Sequence, residues 1–125
     1  MRGFITATKE FEEALENCFK GPEEQQYTVL INEMLLHCRD TLTSKHKEYA
    51  TEDHFHNFNK AAAMLGETPA QALMGMRYKH EVSVCDFVTD QANGIKHSLE
   101  AWKEKIGDNI NYLLILWAMV NMQDV

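Results

Sequence analysis

Residues 102–120, "WKEKIGDNINYLLILWAMV", decide the fold. The stretch begins with charges and ends almost wholly apolar, and it shows no strand pattern, so it reads as part of one helix. Glu104, Asp108, Asn111 and Ile115 recur at spacings of four, three and four, which puts them on one face. The expected core stripe is Trp102, Ile106, Ile110, Leu113, Leu114, Trp117 and Val120. After residue 110 the apolar side becomes very wide. A helix of this kind is central or lies at a subunit interface. Its polar residues are therefore expected to face inward, and the chain is expected to self-associate through it.

Upstream, the pattern is helical throughout. Residues 8–20 read as a first helix, with Thr8 as cap and Phe11, Leu15, Cys18 and Phe19 on one face. Gly21-Pro22 stops it, and Pro22 opens a second helix to about residue 43. Its stripe is Tyr27, Leu30, Ile31, Met34, Leu35, Cys38 and Leu42. "SKHKEYATEDHFHN", residues 44–57, lacks a clean period and reads as a loop of roughly ten residues, a length that is often functional. A short helix over about 55–65 follows, with Phe55, Phe58, Ala62 and Leu65 inward and Gly66 as terminator. Thr68, Pro69 and Gln71 spell a capping box with proline at the first helical position. Leu73, Met76, His80, Val84, Phe87 and Val88 then line one side. "DQANGIKHS", residues 90–98, reads as a second loop, and Ser98 caps the last helix, 99 to about 122. The expectation is a single all-α domain over 1–125, a bundle of about five helices.

Composition narrows the function. The chain has 125 residues, 45% hydrophobic and 25% charged, which reads as globular. Its 12 basic and 19 acidic residues give a formal charge of −7. Such a surface repels a phosphate backbone, so bulk nucleic acid is not the expected partner. A small nucleotide is compatible, held by a few local cations. Cys18, Cys38 and Cys85 are odd in number and form no C-x-x-C, so they read as buried thiols in a reducing compartment. The N-terminal stretch has no signal-like apolar run, and "YLLILWAMV" is about half a membrane span. No membrane association and a cytoplasmic location are expected.

Three groups of residues could carry chemistry. Glu104 and Asp108, one turn apart, can hold a hard cation such as Mg²⁺, or can be a solvated face paired with Lys103 or Lys105. Lys79, Ser83, Asp86 and Asp90 form a second polar ridge on the fourth helix, with His80 beside them. There Asp86 is a candidate third carboxylate ligand, Lys79 a phosphate contact, Ser83 a ligand contact and His80 a proton carrier. The plainer reading of His80 is a satisfied core histidine. At the 44–57 loop, Lys45, Lys47, Tyr49, Phe55 and Phe58, with Asn57, could stack a base and read its edge, or could simply staple the loop to the core. His54 and His56 do not complete a zinc set. Glu12, Glu13 and Glu16 read as a solvated face.

The segment from 45 to 120 resembles a group of small bacteriophage proteins of unestablished function. The shared pattern is K-x-x-[DE]-Y at Lys45, Glu48 and Tyr49, N-F at Asn57 and Phe58, and T-P at Thr68 and Pro69. It continues as K-H-x-x-S-x-x-D at Lys79, His80, Ser83 and Asp86, then E-K-I-x-D-x-I-N-Y-L from Glu104 to Leu113. More remotely, "EKIGDNINYLL" is similar to the second acidic motif of MazG-like all-α nucleoside triphosphate pyrophosphohydrolases. That resemblance implies an oligomeric helical fold, a nucleotide ligand and Mg²⁺ held by carboxylates of two helices. The implied metal set is Asp86, Glu104 and Asp108, with Glu104, Asp108 and His80 catalytic. Asn111 and Tyr112 would join Lys45, Tyr49, Phe55, Asn57, Lys79 and Ser83 around the nucleotide. The sequence departs from the family at Lys105, where an acidic residue is usual, and it lacks the triple-Glu motif on the preceding helix. The alternatives are a non-catalytic sponge for a nucleotide or cyclic nucleotide signal of host defence, and an acidic inhibitor of a host protein. If phage-encoded, the protein would work in the host cytoplasm.

Overall fold

The computed structural model describes residues 9–14, 21–49 and 54–123, with only the backbone of 45–49. Among the described residues there are five helical segments and no strand, so the protein is all-α. They are α1 (9–14), α2 (Pro22–Tyr49), α3 (His56–Leu65), α4 (Pro69–Ala92) and α5 (Leu99–Met122). No helix among them is long and apolar enough to cross a membrane. The chain divides into two compact units, Met1–Arg39 and Asp40–Val125.

In the first unit, Pro22 opens α2 where its missing N–H costs nothing, and Glu23 and Glu24 complement the helix dipole. Gln25 N–H donates to the Gly21 carbonyl at 2.9 Å, closing the first turn. Of the expected stripe, Cys38 is buried and Ile31 and Met34 are half-buried, whereas Tyr27, Leu30 and Leu35 are exposed. Buried Thr28 is satisfied by donating to the Glu24 carbonyl. Phe11 is exposed. Thr8, Leu15, Cys18 and Phe19 lie outside the described residues, as does Glu16.

The helix α2 runs six residues beyond its expected end and takes in the first part of the expected 44–57 loop. Ser44 to Tyr49 contains neither glycine nor proline, and Lys and Glu are good helix formers, so backbone propensity alone continues the helix. The absence of an apolar period there had suggested a loop; it marks only the absence of a regular buried face.

In the second unit, α3 packs on α4 and α4 packs on α5. The core is built from Phe55 before α3, Phe58 of α3, Leu73 of α4 and Met119 of α5. The local signals at the α3–α4 junction are realised in full. Gly66 takes φ 68°, the left-handed conformation that ends α3. Gln71 N–H donates to Thr68 Oγ1 at 3.2 Å, and Thr68 N–H donates to Gln71 Oε1 at 2.9 Å. Replacing Thr68 with Ala should lower the unfolding free energy by about 1 kcal/mol, read by chemical denaturation, because the Gln71 N–H loses its fixed acceptor.

The helix α4 continues to Ala92 and stops at Asn93-Gly94, where Gly94 adopts φ 79°. The connection is therefore shorter than the expected 90–98 loop, since nothing in Thr89–Ala92 breaks a helix. It is fastened from both sides. Asp90 Oδ2 lies 2.8 Å from His97 Nε2, and the His97 ring stacks on Phe87 at 3.8 Å. Trp102 meets Phe87 edge-on at 5.2 Å, so α5 leaves the turn held against α4. Ser98 caps α5 by accepting from Ala101 N–H. At the far end, the Asn59 and Gln123 side-chain amides pair reciprocally, tying α3 to the end of α5.

The buried face of α5 differs from the expected stripe. Gly107, Asn111 and Met119 are buried, while Leu113, Leu114, Trp117 and Val120 are exposed. On α4, Leu73 is fully buried but Val88 is exposed. Where a helix is apolar on all sides, periodicity cannot say which side the neighbour takes.

Candidate functional site

The seam between α4 and α5 carries two polar groupings. The first holds residues singled out from the sequence. His80 of α4 is half-buried, and its ring centroid lies 4.8 Å from that of Tyr112 on α5. Its Nδ1 stands 3.9 Å from Asp108 Oδ2, ion-pair range if His80 is protonated. Tyr112 in turn meets Phe58 edge-on at 6.1 Å, so the core fixes the ring that supports His80. Three residues past Asp108, Asn111 is only 5% exposed, and its Oδ1 is buried without a hydrogen-bond partner. A buried acceptor left empty costs about 1–3 kcal/mol. Gly107, four residues before Asn111 on the same face, is also buried and adds no side chain over that turn.

The Tyr112 hydroxyl holds its proton above the ordinary value of 10.0, first because burial disfavours the phenolate and second because the Asp108 carboxylate repels it. The folded state therefore binds this proton more tightly than the unfolded chain does. Its contribution to stability is complete below about pH 10 and is lost as pH rises through the raised value. Unfolding curves taken between neutral pH and pH 11 should show this alkaline loss reduced in Tyr112→Phe.

The second grouping was not legible in the sequence. Glu81 Oε2 accepts from Arg77 Nη2 and from Asn109 Nδ2, each at 2.8 Å. Arg77 Nε and Asn109 Oδ1 are buried without partners. Arg77 and Glu81 stand four apart, a spacing that signals a pair, but nothing in the sequence ties Asn109 to them.

Other expected site residues fall elsewhere. Lys79 is exposed, and Ser83 Oγ donates back to the Lys79 carbonyl of its own helix. Asp86 and Glu104 are exposed. Among the described residues no three His, Cys, Asp or Glu side chains stand close enough to share a metal ion. Asp86, Glu104 and Asp108 therefore do not assemble as the expected Mg²⁺ set. Glu104 and Asp108 stand one turn apart on α5, but Asp86 comes from α4, and a shared ridge on each helix does not bring the three acids to one point. Phe55 is a core residue rather than a free ring for base stacking, because its burial beside Phe58 and Leu73 closes α3 on α4. Asn57 is exposed in the first turn of α3. The side chains of Lys45 and Tyr49 lie outside the described residues.

Comparison with protein-family models, with curated proteins and with solved structures finds no match for this chain.

Proposed function

We propose that the protein binds a nucleotide or cyclic nucleotide at the α4–α5 seam around His80, Asp108, Asn111 and Tyr112, and holds it without hydrolysis. The observation that carries this reading is the buried, empty Asn111 Oδ1, one turn from the His80–Tyr112–Asp108 cluster. Oδ1 is closed to solvent in this structure, so a base would donate an exocyclic amine or ring N–H to it only where the seam opens. The aromatic pair offers a face for stacking. Asp108 can accept from sugar hydroxyls, and the exposed Lys79 on the neighbouring position of α4 can reach a phosphate. The more remote resemblance to MazG-like enzymes implies the same ligand class, and a phage-encoded binder would act by sequestering a host-defence signal.

Binding is favoured over pyrophosphate release because the three carboxylates implied by the MazG-like resemblance do not gather. No hydrolytic step is derived for this chain. An acidic inhibitor would display its carboxylates outward, as exposed Asp86 and Glu104 do, but would need no buried polar group between helices such as Asn111. The test is calorimetric titration with nucleoside triphosphates, monophosphates and cyclic dinucleotides, with and without Mg²⁺, followed by chromatography of the recovered ligand. Saturable binding to one class, with the ligand recovered intact, is expected. Release of pyrophosphate would establish the enzyme instead, and no binding by any member would remove the nucleotide reading.

A further inference from the structure

The second unit carries an open groove of about 470 Å³ along the first half of α4. Glu67, Gln71, Met74, Gly75 and Tyr78 line it, and Leu116 joins them from α5. Gln71, Gly75, Tyr78 and Val82 recur at spacings of four, three and four, and all are exposed, so one face of α4 stays open for about three turns. Gly75 is the informative residue. It sits in the interior of α4, where only proline is a poorer helix former. A Cβ added there would meet nothing within 4 Å, so no neighbour among the described residues requires the missing side chain. Open space over a helix backbone is what the close approach of another backbone needs.

Charge selects the partner. Among the described residues Glu67 is the one charged side chain that lines the groove. Arg77 is engaged by Glu81 at 2.8 Å, and Lys79 lies outside the lining. The chain as a whole carries −7, which attracts cationic segments and repels a second copy. We infer that the groove seats one amphipathic helix of another protein, its apolar anchors crossing α4 at Gly75 and its Lys or Arg residues meeting Glu67. Such a helix lays anchors at i, i+4 and i+7 into an apolar floor. Tyr78 supplies a rigid wall, and Met74 an unbranched, polarisable one that adapts to the anchor. The inference does not depend on the ligand reading, since His80, Asp108, Asn111 and Tyr112 do not line the groove.

The probe is a leucine–lysine peptide of about five helical turns with leucine at helical spacing, titrated calorimetrically into the full chain. Its controls are the same composition in scrambled order and the same pattern with glutamate for lysine. The patterned lysine peptide should bind one to one with a Kd of about 10 μM or tighter, and both controls at least about tenfold more weakly. Gly75→Leu fills the groove and Glu67→Lys reverses its charge, so each should weaken the lysine peptide by at least about tenfold. Both positions are exposed, so helical circular dichroism should not change. No binding of the patterned peptide, equal binding of the scrambled one, or undiminished binding to Gly75→Leu overturns the inference. A wild-type dimer in sedimentation equilibrium that Gly75→Leu dissolves gives the groove to a second copy, which also overturns it.

Discussion

Leu73→Ala is expected to lower the unfolding free energy by about 2–5 kcal/mol, the range for truncating a buried leucine whose surroundings cannot collapse. Leu73 is 0% exposed, and its cluster draws on α3 through Phe58 and on α5 through Met119. The core contains Phe55, Phe58, Leu73 and Met119, so one cavity among them loosens α3 and α5 from α4 together. Val88→Ala is the matched control. Val88 would share the Leu73 face on periodicity alone, but it is 53% exposed. It should change stability by no more than about 0.5 kcal/mol. Urea denaturation followed by circular dichroism reads both, and equal losses for the two would contradict the core assigned to the α3–α5 unit.

The second large effect is expected at Asn111, with opposite signs for stability and binding. Asn111→Leu keeps the branched outline and the number of side-chain heavy atoms, is larger by roughly two methylenes, and removes the buried, unpartnered Oδ1. An apolar replacement for an unsatisfied buried group should raise stability by about 1–2 kcal/mol. The same change removes the acceptor proposed to meet the nucleotide, so on that proposal nucleotide affinity should fall by at least about tenfold, the factor for one lost hydrogen bond of about 1.4 kcal/mol. A residue retained only for packing would not show this trade. If Asn111→Leu destabilises the protein and leaves binding intact, the amide is structural and the ligand contacts other groups.

The sequence was most informative where one residue has one job. Thr68, Gln71 and Ser98 announce helix starts through side chains that can only cap, and Gly66 announces an end through a backbone that only glycine adopts readily. The polar positions of α5 were also informative, because Asn111 and Asp108 interrupt an apolar rod and so stand out. Side selection on that rod was not legible. Leu113, Leu114 and Trp117 are as apolar as Met119, and only tertiary contact separates them. The site was half legible for the same reason. Helical spacing aligned Glu104 with Asp108 and Lys79 with Asp86. It could not say that His80 would approach Asp108 while Asp86 stayed exposed. The Glu81–Asn109 bond spans 28 residues, and no local pattern encodes it.

The most direct test of the central claim is a two-dimensional ¹H–¹⁵N spectrum of the protein titrated with the nucleotide panel, with the Asn111 side-chain amide assigned by substitution. The predicted result is a saturating shift of the Asn111 amide together with the backbone signals of His80, Asp108 and Tyr112. Shifts confined to other regions, or none at millimolar ligand, would contradict a nucleotide site at the α4–α5 seam.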